Sequence, residues 1–211
     1  VEIKCFVFSP FYENTYVLSI DDGSCWIIDP GCYDEGEENE LVDYITNNNL
    51  TPTKLINTHC HLDHVFGNAF VCETYNLKPI THMLGITVLE FSQMSAASYG
   101  VKLRPSPAPV KFIDEGDILM LGEHEFKIYF TPGHAPDHII LYNAKENFTI
   151  SGDVLFENSI GRTDLPGGEH ETLLKSIREK MFVLPDETKV YSGHGNPTTI
   201  GHEKRNNPFL K

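Results

Sequence analysis

An α+β fold of four layers, with helices outside two facing β-sheets, is predicted by two features of the sequence. Strand-like runs come first and a helical stretch follows, and the same succession then occurs a second time. No low-complexity segment or short repeat interrupts the 211 residues, so 1–211 is read as one domain.

The first half opens with strands over Ile3–Phe8, Thr15–Ile20 and Ser24–Ile28, the last two joined as a hairpin by Asp21-Asp22-Gly23. Asp29-Pro30-Gly31 ends this unit, and an acidic segment from Asp34 leads into helical spacing over Leu41–Thr46. Lys54–Asn57 reads as a short buried strand, Thr58–His64 as a polar loop, and Val65–Tyr75 and Leu84–Tyr99 as helices. Three prolines in Arg104–Pro109 demand a loop. A second set of strands covers Val110–Ile113, Ile118–Leu121, Glu125–Phe130, Ile139–Tyr142 and Phe148–Ser151. Glu169–Met181 is the clearest late helix, and Lys189–Tyr191 is the final strand.

Composition narrows the function. Sixteen basic against thirty acidic residues give a net charge of −14, which repels nucleic acid at long range. The only dense basic spot is Lys204-Arg205. No apolar stretch approaches a membrane span, and Val1–Ser9 lacks the pattern of a secretory signal. Five cysteines without a CxxC pair argue against a disulfide framework or a zinc ribbon and suit a reducing cytoplasm. A cytoplasmic protein is the expectation.

The chemistry is concentrated in His59-Cys60-His61-Leu62-Asp63-His64. Residues two apart can point the same way along extended backbone, and a turn at Leu62 would send Asp63 and His64 elsewhere. Four side chains this close suit two adjacent metals better than one tetrahedral ion. Imidazole and carboxylate fit zinc, and also iron or manganese. Three later strands each run into a glycine-containing loop that presents a further ligand: His134 in TPGH, Asp153 after SG, and His194 in SGHG. A lone histidine there would be a turn residue, and Asp153 alone a helix cap. Four strand-end sites together predict a binuclear metal centre.

In this order and spacing, HxHxDH, TPGH, SGD and SGHG resemble the metallo-β-lactamase superfamily over essentially the whole chain. The resemblance implies the αββα sandwich with its metals at one edge. It implies His59, His61 and His134 on the first metal, Asp63, His64 and His194 on the second, and Asp153 bridging. FENSIGRTDLPGG over Phe156–Gly168 and TIGHEKRNNPFL over Thr199–Leu210 look like the short hydroxyacylglutathione hydrolases of glyoxalase II type, which lack the extra helical domain of the longer enzymes. Asp137 departs from that pattern, where glycine is frequent, and Cys60 stands at a variable position.

A small-molecule thioester is therefore the expected substrate and two divalent ions per chain, zinc first, the expected cofactors. Water shared between two such ions would fall in pKa from about 15.7 towards 7 and would be the expected nucleophile. Asp153 or Asp63 would orient it. A thiol of pKa about 8.5 leaves without a strong general acid, which favours thioesters over amides at a site with no obvious proton donor. Asp29 could accept from a ligand histidine, and His138 could support the ligands from outside. Arg162 with Asp164 would brace the loop after Asp153, and Arg162, Lys204 and Arg205 are the candidate substrate contacts. His82, His124, His170 and His202 have no motif support. Two rivals stand beside this reading: an iron persulfide dioxygenase on His59, His134 and Asp153, and a metal-binding scaffold without activity.

Overall fold

Alternating burial draws the first strand. In β1 (Glu2–Phe8), Phe6 and Phe8 point inward and Val7 faces solvent. β2 (Glu13–Ser19) is buried along its length because it lies between β1 and β3 (Ser24–Ile28), antiparallel to both. The turn at Asp21–Gly23 joins β2 to β3 as predicted. The acidic stretch that reads as a lead-in is itself helical: α1 runs over Glu35–Asn47. Asp34 caps it by accepting from the Glu37 N–H at 3.0 Å, and Glu35, Glu37 and Glu38 in the first turn complement the positive helix end.

β4 (Thr51–Ile56) lies parallel to β3 and leads to a 3-10 turn at Leu62–His64. α2 (Asn68–Tyr75) starts three residues later than the hydrophobic pattern suggests. Val65–Gly67 are used in a turn that donates the Gly67 N–H to the Pro30 carbonyl at 2.7 Å. β5 (Pro79–Thr81) is too short to show a period in the sequence. α3 (Gly85–Ser95) and a 3-10 turn at Ala96–Tyr99 match the predicted helical span. β6 (Lys111–Phe112) pairs parallel with β5 and closes the first sheet, in the order β1-β2-β3-β4-β5-β6. The sequence places this strand with the second set; parallel pairing to a three-residue strand left no trace that could have corrected it.

The second sheet takes β7 (Ile118–Leu121), β8 (His124–Phe130), β9 (Ile139–Asn143) and β10 (Phe148–Gly152) as an antiparallel meander. A small hairpin of β11 (Leu155–Phe156) and β12 (Ser159–Ile160) follows. α4 (His170–Ser176) is capped by Glu169 and continues as a π-helical turn over Ile177–Met181. β13 (Lys189–Ser192) then adds parallel to β10, and β14 (Thr198–Thr199) finishes the sheet before α5 (Ile200–Asn206). The structure describes all residues from Val1 to Lys211 and is a computed structural model.

Trp26, Tyr16, Phe126 and Ile150 belong to the core between the sheets. Leu41, Ile45 and Val71 of α1 and α2 cover the outer face of the first sheet. Leu173, Ile177 and Ile200 cover the second. The result is the predicted αββα arrangement. The two sheets are tied at one rim by β2: Asn14 donates its backbone N–H to Gly193 at 2.7 Å and its amide to Ser192 and Gly195 at 2.9 Å each. No helix is long and apolar enough to cross a membrane.

Candidate metal centre

The loops leaving β4, β8, β10 and β13 meet at that rim. Ligand-capable atoms of His59, His61 and His134 lie within 4.8 Å of one another, as do those of Asp63, His64 and His194. Asp153 stands between the two groups. Its Oδ1 is 3.4 Å from His64 Nε2, and its Oδ2 is 3.4 Å from His134 Nε2 and 3.5 Å from His194 Nε2. The 3-10 turn at Leu62 separates His59 and His61 from Asp63 and His64, as the spacing predicts.

Oxygen atoms outside the cluster fix how most of its rings face. His134 donates from Nδ1 to the Arg162 carbonyl at 2.7 Å, and His194 from Nδ1 to the Tyr12 carbonyl at 3.1 Å. His64 Nδ1 stands 3.1 Å from Asp29 Oδ2. Thr58 spends its hydroxyl hydrogen on Asp29 Oδ2 at 2.6 Å, so the 3.2 Å contact with His59 leaves the His59 Nδ1–H as donor. In each of these rings Nε2 faces the centre, the arrangement that metal-bound histidines use. His61 differs, with Nδ1 facing His134 Nε2 at 2.9 Å.

The residues fit a pair of cations. His59 Nε2, His64 Nε2 and Asp153 Oδ1 are buried and have no hydrogen-bond partner, a costly state for isolated polar atoms. Glycine keeps the space open: a Cβ at Gly193 would lie 2.2 Å from Asp153 Oδ1 and 2.7 Å from His64 Cε1. Burial, reinforced by neighbouring imidazoles, holds His59 well below its usual range and brings His61 down to about 3, so both present lone pairs. Burial also lowers His134, against the pull of Asp153. Burial opposes charge on His64 as well, but Asp153 and Asp63 overcome it and raise its pKa. His194 rises to about 10, because its bonds to Asp153 and Asp63 outweigh its burial. Burial pushes Asp153 up, and His64, His194 and His134 together hold it well below the carboxylate range. The group around His59 is therefore neutral and the group around Asp63 highly polar.

Asp29 and His138 both sit where the sequence suggests a supporting role. His138 accepts the Asp153 N–H on Nε2 at 3.0 Å and stacks on His59 with ring centroids 4.7 Å apart. Asp137, the departure from the family pattern, is buried and accepts the Cys60 N–H at 2.9 Å, bracing the His59–His61 loop. Arg162 pairs with Asp164 through Nε at 2.7 Å and Nη2 at 2.9 Å and lines the cavity over the centre. Lys204 and Arg205 do not line it; both turn to Asp186, at 2.7 and 3.4 Å. Sequence reasoning missed Glu13, which is fully buried and has Oε1 3.8 Å from His64 Nδ1, and it missed the Thr58 link. A single glutamate just ahead of the predicted strand Thr15–Ile20 carries no signal of such a position.

Comparison with known proteins places the chain in a family. A profile described as the metallo-beta-lactamase superfamily matches residues 9–194. The chain is 36% identical to hydroxyacylglutathione hydrolase GloC of Haemophilus influenzae, over 100% of this chain and 98% of that protein. Among solved structures, BLEG-1 B3 metallo-beta-lactamase is 36% identical with a TM-score of 0.92, covering 100% of both chains. TTHA1623 in a di-iron-bound form is 35% identical with a TM-score of 0.88, covering 98% of this chain and 100% of that one. Family profile, sequence relative and backbone likeness coincide, and the chain belongs to the metallo-beta-lactamase superfamily.

Proposed function

We propose that the protein is a binuclear metal-dependent hydrolase, a thioesterase resembling the glyoxalase II type that cleaves S-acyl glutathione or a related thioester. His59, His61 and His134 would hold one metal and Asp63, His64 and His194 the other, with Asp153 between them. The observation that carries this reading is Asp153 itself, whose two oxygens reach His64 on one side and His134 on the other at 3.4 Å each. Bound divalent ions would supply Lewis acidity towards the substrate carbonyl and a lowered pKa for water.

The chain's own residues do the remaining work. The Arg162 and Tyr12 carbonyls hold His134 and His194 in orientation. Asp63, with Oδ2 3.2 Å from His194 Nε2, can accept a proton or hydrogen bond at the floor of the cavity. No lysine lines the cavity, and a thiolate leaving group needs no strong proton donor. The 36% identity to a hydroxyacylglutathione hydrolase supports the thioester class. The likeness to a di-iron-bound structure keeps iron beside zinc as a fitting metal.

Metal analysis coupled to turnover of S-lactoylglutathione and simple thioesters tests the proposal. Two metals per chain with thioester hydrolysis are expected, and Asp153→Ala should lower kcat/KM by about 100-fold or more. One iron per chain with oxygen uptake on glutathione persulfide, and no thioester hydrolysis, would reject it.

A further inference from the structure

The cavity above the centre encloses about 350 Å³, and seven of its sixteen lining residues are hydrophobic. Six of these, Phe11, Leu62, Phe91, Tyr99, Phe156 and Leu165, are joined by Ile160 in its apolar wall. Phe91 and Tyr99 remain 42% and 49% exposed and share one cavity wall, the contiguous apolar patch that marks a ligand-binding groove. Tyr99 and Phe156 belong to separate aromatic contacts, with Phe11 at 6.2 Å and with His194 at 6.2 Å, so the wall reaches from the outer helix down to the ligands.

Charge is scarce in the same wall. Arg162 is the only lysine or arginine that lines the cavity, and Asp164 already occupies its Nε and Nη2. Lys204 and Arg205 are tied to Asp186 elsewhere. A glutathione thioester brings two carboxylates and one ammonium at neutral pH. Metals held by the ligand set would lie at the floor, towards which the scissile carbonyl would point, and the wall above offers the distal carboxylates one guanidinium, already paired with Asp164. A buried or half-buried charge without a partner is costly.

We propose that the cavity selects thioesters with an apolar acyl group on an uncharged thiol arm, in preference to hydroxyacyl glutathione. The inference rests on the thioester-hydrolase reading and names its substrate class. The reaction is hydrolysis: the C–S bond breaks, water's hydroxyl joins the acyl carbon, the sulfur leaves with the bonding pair, and the remaining proton goes to solvent. Nothing is oxidised or reduced. Phe91, Tyr99 and Phe156 contact the acyl group, and Asp164 sets selectivity by holding Arg162 neutralised.

Four substrates test it on the zinc-loaded enzyme: phenylacetyl and lactoyl groups, each on N-acetylcysteamine and on glutathione. On either thiol, kcat/KM for phenylacetyl should exceed that for lactoyl by about tenfold or more, the range that apolar pockets achieve. For either acyl group, N-acetylcysteamine should be preferred to glutathione. Phe91→Ala should shrink the acyl preference, and Asp164→Ala should raise the ratio of glutathione to N-acetylcysteamine turnover several-fold by freeing the guanidinium. Equal or reversed preferences with hydrolysis intact would overturn the selectivity alone. Absence of turnover on all four substrates would overturn the hydrolase reading with it.

Discussion

Asp29 shows how one side chain serves both the fold and the centre. Its carboxylate accepts the Thr58 N–H at 2.7 Å and the Thr58 hydroxyl at 2.6 Å while facing His64 Nδ1 at 3.1 Å. Its backbone is left-handed, with φ of 49°, a conformation that Asp and Asn tolerate better than most residues. Asp29→Asn keeps that tolerance and removes the charge. Affinity for the second zinc should fall by roughly 10- to 100-fold, as for other partners of ligand histidines, and because the amide cannot accept at both positions the variant should also lose about 1–3 kcal/mol of stability. Calorimetric zinc titration checks this; an unchanged affinity would assign Asp29 to the fold alone. The metal-facing residues were legible because histidine and aspartate clustered after strands are rare by chance. Glu13 and Thr58 were not, because their roles depend on side chains that approach from other elements, and a residue type in one strand says nothing about what lies across the rim.

Among the elements, the strands and helices that carry an apolar period were readable, and those that do not were missed. β5, β11, β12 and β14 have two or three residues each, too few for alternation to be seen. The apolar period of α1 begins only at Leu41 because its first turns are acidic, although Asp34 is the residue type that caps a helix start. The assignment of β6 to the second sheet failed because a parallel edge pairing has no local signature. β2 has a role beyond its own sheet, since Asn14 latches the segment that presents His194. Asn14→Ala removes the amide donor from the buried Ser192 carbonyl, which the Tyr16 hydroxyl still serves, and from the part-buried Gly195 carbonyl, and should cost about 1–2 kcal/mol of stability. It should also weaken the site containing His194 more than the site containing His59. Urea unfolding and stepwise zinc titration separate the two effects; equal weakening of both sites would refute the latch.

Over the whole molecule, stability should depend on pH through Asp137. Burial raises this carboxyl to about 7, and bonds to Cys60 only partly offset that. The folded state therefore keeps a proton that the unfolded chain releases near its ordinary value of 3.8. Stability from this group is fully present below about pH 4 and is lost as pH rises towards 7, by at most about 1.4 kcal/mol per unit. Asp137→Asn preserves the acceptor for the Cys60 N–H and removes the titration. Urea unfolding of the metal-free proteins between pH 4 and 8 should show the parent losing stability relative to the variant as pH rises, whereas parallel curves would contradict it.

The zinc stoichiometry of the intact chain tests the central claim most directly, since seven side chains from four loops must act together. After zinc loading and dialysis, the wild-type protein should retain about two zinc ions per chain, and Asp153→Ala should lose at least one of them. A wild-type chain that retains none, or an Asp153→Ala variant that retains as much as the parent, would contradict the account.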